Sequence, residues 1–257
     1  MGFRAYDIAD GVVVGGGVDN TDDLASTDSG KGASLIGIYD PDNAINAETV
    51  NGALLEQSSQ VLYDSLATQD AAWVEGLNGG SVSIVSNRIR LTRPNADAIT
   101  GMDRGSTDGL LFSAPFSVSC YIKNNSAVHG SFAQLVVASV DDPANDVYSI
   151  GPEYFSGAYR ISAYGTAAGW TNSAFVAAEG WVKIALDGGQ LVSAWYSANA
   201  ENDEPNVHSD WSLVASGKAF GGRALPSFVS IVAAKSVAGV VAATSVDFSH
   251  LRLRYRV

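Results

Sequence analysis

The chain has 257 residues, of which 46% are hydrophobic and only 16% charged, and its formal net charge is −12. That hydrophobic content suffices for a sizeable core and excludes a chain disordered throughout, while the acidity gives it no reason to seek nucleic acid or anionic lipid. The charge is unevenly placed: residues 1–80 carry two basic and thirteen acidic side chains, residues 81–257 thirteen and fourteen.

Residues 1–45 mix glycine, aspartate and asparagine with short apolar runs such as Gly11-Val-Val-Val-Gly-Gly-Gly-Val18. Runs broken in this way cannot close a core, but they can lie along a partner surface as an extended arm. The turn Asp40-Pro-Asp-Asn43 ends the arm. Asn46 then caps a predicted short helix over 46–66, with Val50, Leu54, Val61 and Leu62 on one stripe. Gly52 weakens it by about 1 kcal/mol relative to alanine. Such a helix needs neighbours, either the following domain or copies of itself in a bundle.

From Trp73 onward the text changes to short alternating runs separated by Gly, Asn, Asp and Pro. Val82–Val85 and Arg88–Leu91 face each other across Ser86-Asn87, a two-residue hairpin. Further runs lie at Phe116–Lys123, Phe132–Ser139, Tyr159–Tyr164, Trp181–Ala185, Gln190–Ser197, Phe228–Ala233 and Thr244–Arg256. About ten strands with no helix between them predict a mainly β, antiparallel sandwich or barrel over residues 67–257. Alternation puts Phe116, Val118, Cys120 and Ile122 on one face, so Cys120 reads as a small core hydrophobe. A single cysteine precludes an intrachain disulfide framework and a Cys-rich zinc site. The three histidines (His129, His208, His250) lie too far apart to suggest a metal cage or a catalytic triad. No segment reaches the ~18 apolar residues of a membrane helix. Asn124-Asn-Ser126 fits a glycosylation sequon, but Met1–Tyr6 opens no secretory leader, so its use is not expected.

Two resemblances follow. Trp181–Ser197 with its Asp187-Gly-Gly189 turn, then Trp211-Ser-Leu-Val214, Pro226–Ala234 and Val246–Leu253, resembles the concanavalin A-like lectin/glucanase jelly roll. Its tryptophans read first as core, since each buries a large apolar area once its indole N–H finds a partner. Leu24-Ala-Ser-Thr-Asp-Ser-Gly-Lys-Gly-Ala-Ser-Leu-Ile-Gly-Ile-Tyr39 and Thr49-Val-Asn-Gly-Ala-Leu54 resemble the N-terminal and stalk regions of phage tail fibres and virion spikes. That resemblance implies a homotrimer carried on a virion and made in a bacterial cytoplasm. Residues 1–45 would dock on other virion proteins, 46–66 form a trimeric stalk, and 67–257 contact the host cell.

Sugar recognition needs aromatic rings for the apolar sugar faces and polar groups for the hydroxyls. Residues 148–170 supply aromatics among Gly, Ser and Asn, and Tyr154-Phe-Ser-Gly157 and Gly165–Trp170 read as loops. Tyr154, Tyr164 and Trp170, with Asn172 as polar partner, are the candidate glycan ligands; packing on neighbouring loops or on a trimer mate is the alternative. Asp141, Asp142, Asn145 and Asp146 could surround a calcium ion, although their spacing matches no defined calcium loop. Glu153, Glu179, Glu201 and Glu204 are the only glutamates after residue 80, and none reads as part of an alternating strand. Paired-carboxylate glycan cleavage therefore lacks its usual Glu-x-Asp-x-Glu text. Arg88, Arg90 and Arg93, like Arg252, Arg254 and Arg256, alternate on strands and either meet an acidic polysaccharide or pair with nearby carboxylates. The expected function is non-catalytic adhesion to a host surface polysaccharide, with a purely architectural decoration protein or a capsule-degrading glycanase as alternatives.

Overall fold

The computed structural model describes residues 60–256, apart from 95–97, 105–112, 143–145, 167–168, 174, 187–190, 206–207, 220–226 and 236–241. The expected arm over 1–45 and most of the expected helix lie outside these residues. Among those described, the strands are β1 (Gln60–Asp64), β2 (Val74–Gly76), β3 (Ser81–Val85), β4 (Arg88–Arg93) and β5 (Thr100–Arg104). They continue with β6 (Ser113–Asn124), β7 (Ser131–Ser139), β8 (Val147–Phe155), β9 (Ala158–Gly165) and β10 (Gly169–Asn172). The last are β11 (Glu179–Leu186), β12 (Leu191–Ser197), β13 (Ser212–Ala219), β14 (Ser227–Lys235) and β15 (Thr244–Arg256).

Two antiparallel sheets result. One has eight strands in the order β13-β12-β11-β6-β15-β4-β3, with β1 also paired to β15. The other has seven, in the order β10-β9-β8-β7-β14-β5-β2. Period-2 alternation assigns each strand an inner and an outer side. Ile89 and Leu91 of β4, Val118, Cys120 and Ile122 of β6, and Val182 and Ile184 of β11 line the inner side of the eight-stranded sheet. Leu135, Val137, Ile150, Ile161, Val229 and Ile231 line that of the seven-stranded one, and together they form one apolar cluster. Cys120 is fully buried there, and desolvation raises its thiol pKa well above the ordinary value, consistent with an inert core residue.

Strand β15 shows how register protects this core. Val246 and Phe248 point inward, and then a bulge around His250, with φ at 55°, adds one residue. Leu251 and Leu253 thereby stay inward while Arg252 and Arg254 stay outward; without the bulge the pattern would invert. The Ser86-Asn87 hairpin forms as expected, with Val85 opposite Arg88 and both turn residues at positive φ (53° and 60°), the mark of a type I′ turn.

Two expectations change. Val61 and Leu62 do not end a helix: Gln60–Asp64 is a strand, paired residue for residue with Leu251–Tyr255, so the sandwich begins before residue 67. Asp64 then ties the two sheets together, since its Oδ2 accepts from Trp73 Nε1 and from Arg104 Nη1 of β5, each at 2.8 Å. Glu153 and Glu179 are strand residues after all, in β8 and β11. The Asn124 sequon is buried, its Nδ2 donating to Ser131 O at 3.1 Å, so no glycan can be attached there.

Candidate functional site

The β9–β10 hairpin forms one edge of the seven-stranded sheet. Trp170 is the direct register partner of Tyr164, and Asn172 that of Ser162. On β8, Ser149 pairs with Tyr164, Gly151 with Ser162 and Glu153 with Arg160. Alternation along β9 puts Arg160, Ser162 and Tyr164 on the outer side of the sheet, and residues 170 and 172 are the register partners of Tyr164 and Ser162. The core residues Ile161 and Ala163 take the other side. Three of the four expected glycan residues are therefore brought together, on strands rather than on the loops read from the sequence.

Tyr154 is not with them. It pairs with Tyr159 and with Ser131, on the side of Ile150, and packs edge-on against Tyr159 with centroids 4.9 Å apart. It lies at the far end of β8 from Tyr164's partner Ser149.

Sequence reasoning missed the polar group beside this aromatic pair. Glu153 is fully buried, and its Oε2 accepts from Arg160 Nε and Ser162 Oγ, both at 2.7 Å. Its Oε1 has no hydrogen-bond partner among the described residues. The Arg160 guanidinium lies 4.0 Å from the centroid of the Phe155 ring. Glu153 thus holds Arg160 and Ser162 in fixed positions next to Tyr164 and residue 172, a preorganised polar flank to an aromatic pair. The Gly151-Pro152 pair in the middle of β8 hid this strand, because proline is rare in central strands. Beneath the hairpin, Tyr148, Tyr164, Gly165, Ile184 and Val192 border a cavity of about 10 Å³ between the sheets. It holds at most about one water, so a sugar would have to lie on the outer face. Burial, with Asp146 nearby, raises the Tyr148 phenol to about 12 and keeps it neutral there.

No protein-family model and no curated protein matches the sequence. Solved structures do match the fold. A functionally unknown protein from Saccharomyces cerevisiae superposes at a TM-score of 0.51 with 13% identity, over 78% of this chain and 98% of that one. The GH43 protein BlXynB from Bacillus licheniformis gives 0.52 and 13% over 74% of this chain, which spans only 38% of that enzyme's length. Lectin UEA-II, solved with galactose, gives 0.50 and 10% over 77% of this chain and 99% of the lectin. The fold is a lectin-like β-sandwich.

In the lectin-like sandwich the described residues of the acidic turn between β7 and β8 are held by backbone hydrogen bonds. Asp146 N donates to Asp142 O at 2.9 Å and Asp141 N to Ser139 Oγ at 3.2 Å. Asn145 lies outside the described residues, and among those described no three His, Cys, Asp or Glu side chains are placed to hold a metal. The remaining glutamates after residue 80 lie by the other sheet, Glu179 on β11 and Glu201 and Glu204 in the segment after β12. Glu201 accepts from both Arg88 Nε and Arg88 Nη2, and from Ser249 Oγ at 2.5 Å. Glu204 pairs with Arg252 at 2.8 Å and Glu179 with Lys123 at 3.0 Å. Desolvation pushes the Glu201 carboxyl upward, but the hydrogen bonds from Arg88 and Ser249 outweigh it and hold its pKa below the ordinary value.

Trp181 and Trp211 are buried, as expected, yet outside the main core. With Tyr121 they form a second cluster on the outer side of the eight-stranded sheet, with Trp195 at its edge. The 198–205 segment folds over it, and Trp181 Nε1 donates to Ala200 O at 3.0 Å.

Proposed function

We propose that this chain is a non-catalytic carbohydrate-binding protein whose ligand lies on the outer face of the β9–β10 hairpin. The carrying observation is the register itself: Tyr164 opposite Trp170, and Asn172 opposite Ser162, beside the fixed Glu153–Arg160 pair, in a lectin-like sandwich. Ring faces take the apolar side of a pyranose and the Arg160 guanidinium takes its hydroxyls, while the buried Ser162 hydroxyl is held by Glu153. Supporting the non-catalytic reading, Glu201, Glu204 and Glu179 are ion-paired on the opposite sheet, and Glu153 is fully buried. A carboxylate pair facing one bond across a water-sized gap is what hydrolysis requires.

In its finer form the reading is an adhesin on a virus particle, anchored through its N-terminal arm and multiplied by trimerisation. It rests on the resemblance of residues 24–54 to fibre and spike proteins. Three weak sites engaging together gain avidity that one site lacks. The test is a panel of bacterial surface polysaccharides. Retention on at least one, with no release of reducing ends on prolonged incubation, is expected. New reducing ends, or no retention on any, would overturn the reading.

A further inference from the structure

The eight-stranded sheet carries a second surface, built by register from six strands. Tyr63 of β1 opposes Arg252 of β15, Arg252 opposes Ser119 of β6, and Ser119 opposes Lys183 of β11. Lys183 in turn opposes Trp195 of β12, and Trp195 opposes Leu213 of β13. All six stand on the outer face, in one row across the strands. At about 4.8 Å per strand the row is about 24 Å long. Its two ends are apolar and exposed, Tyr63 at 51% and Leu213 at 47%. Each cation lies by aromatic rings: Arg252 5.7 Å from the Tyr63 centroid, and Lys183 4.2 Å from that of the buried Trp211 and 5.5 Å from that of Trp195. Between them Ser119 leaves a gap of about 10 Å with a hydroxyl floor. The next row has Arg254 opposite Ser117, then Ala185 and Ser193, so the floor continues in small side chains. Two buried donors on this face, Trp211 Nε1 and Arg252 Nε, have no hydrogen-bond partner among the described residues.

We infer that this groove binds a linear, carboxylate-bearing polysaccharide, with the acid groups on Arg252, Arg254 and Lys183 and sugar faces on Trp195 and Tyr63. This rests on the carbohydrate-binding reading but uses the sheet opposite the β9–β10 face. Arg252 also meets Glu204 at 2.8 Å; with Arg254 and Lys183 beside it, the cations outnumber that carboxylate and flank a hydroxyl floor, which suits an anionic sugar chain.

The test uses polygalacturonate and its methyl-esterified, uncharged form, with the full chain and the variants Lys183→Ala, Ser117→Tyr and Tyr164→Ala. Polygalacturonate is expected to bind more tightly than the ester and to weaken with rising salt. Lys183→Ala and Ser117→Tyr should each lower that affinity at least tenfold, and Tyr164→Ala should not. Ser117→Tyr adds bulk on an outer position without removing a contact, and an unchanged melting temperature shows that it folds. If polygalacturonate binding survives both groove variants and is lost in Tyr164→Ala, the groove proposal fails while carbohydrate binding at the hairpin stands. If neither polymer binds at all, the groove proposal fails, and the surface-polysaccharide panel alone then decides the broader reading. A dimer in solution that Ser117→Tyr dissolves would assign the groove to a second copy and overturn the proposal.

Discussion

Glu201 shows how a single carboxylate can fasten a loop to a sheet. Its two oxygens take Arg88 and Ser249, from β4 and β15, so the 198–205 segment is held on the outer face of the eight-stranded sheet. Because its pKa is held below the ordinary carboxylate value, its stabilisation is complete above that value and is lost as pH falls through the lowered one. Glu201→Gln should therefore lower the urea midpoint at pH 7, and the gap to the parent should narrow as pH is taken below the ordinary carboxylate range; an equal gap throughout would contradict this. Arg88→Ala leaves the same carboxylate half-satisfied and should cost about 1–3 kcal/mol. Gly180 is a second decisive residue. Its φ is 151°, and a Cβ there would lie 2.5 Å from Tyr196 Cε2 and 2.7 Å from Ser197 O. Gly180→Ala is expected to destabilise by about 2–4 kcal/mol through strain and overpacking, measured by denaturant unfolding.

At the scale of elements, local chemistry specified some strands and hid others. The β3–β4 hairpin was legible because Ser86-Asn87 separates two alternating runs, and both turn residues take the left-handed conformation. Replacing them with Asn-Gly should raise stability by about 0.5–1 kcal/mol, since glycine takes positive φ without steric cost; lower stability on chemical unfolding would contradict the turn assignment. Strand β1 was illegible because Val61 and Leu62 continue a helical stripe begun at Val50, while its true partner, Leu251–Tyr255, lies almost two hundred residues away. Strand β8 was hidden by Gly151-Pro152, and β2 by its three-residue length. The aromatic content of residues 148–170 pointed to the hairpin site, but its grouping did not. Whether Tyr154 or Tyr164 faces outward is a matter of parity, and parity depends on register that only the assembled sheet sets. The row from Tyr63 to Leu213 was beyond reach for the same reason, because its six members come from six strands.

At the scale of the molecule, the charge division acquires a location. The nearly neutral part of the sequence supplies most of the sandwich, and its charged groups pair on both sheets: Arg88 with Glu201, Arg90 with Asp247 and Arg252 with Glu204 on the eight-stranded one, Arg160 with Glu153 on the other. This answers the open question about two of the alternating arginines, Arg88 and Arg90, which pair with carboxylates. Arg252 pairs as well, yet stands in a groove with Lys183 nearby. The two sheets thus present different residues outward, Arg160 and Tyr164 on the seven-stranded sheet and the row from Tyr63 through Arg252 and Lys183 to Leu213 on the eight-stranded one. The central claim is that the hairpin edge holds sugar. Isothermal titration of a retained polysaccharide against the parent, Tyr164→Ala, Trp170→Ala and Tyr154→Ala tests it most directly. A loss of at least tenfold, about 1.4 kcal/mol, is expected for the first two variants and less than threefold for Tyr154→Ala. Unchanged affinity in Tyr164→Ala and Trp170→Ala, with both variants folded, would contradict it.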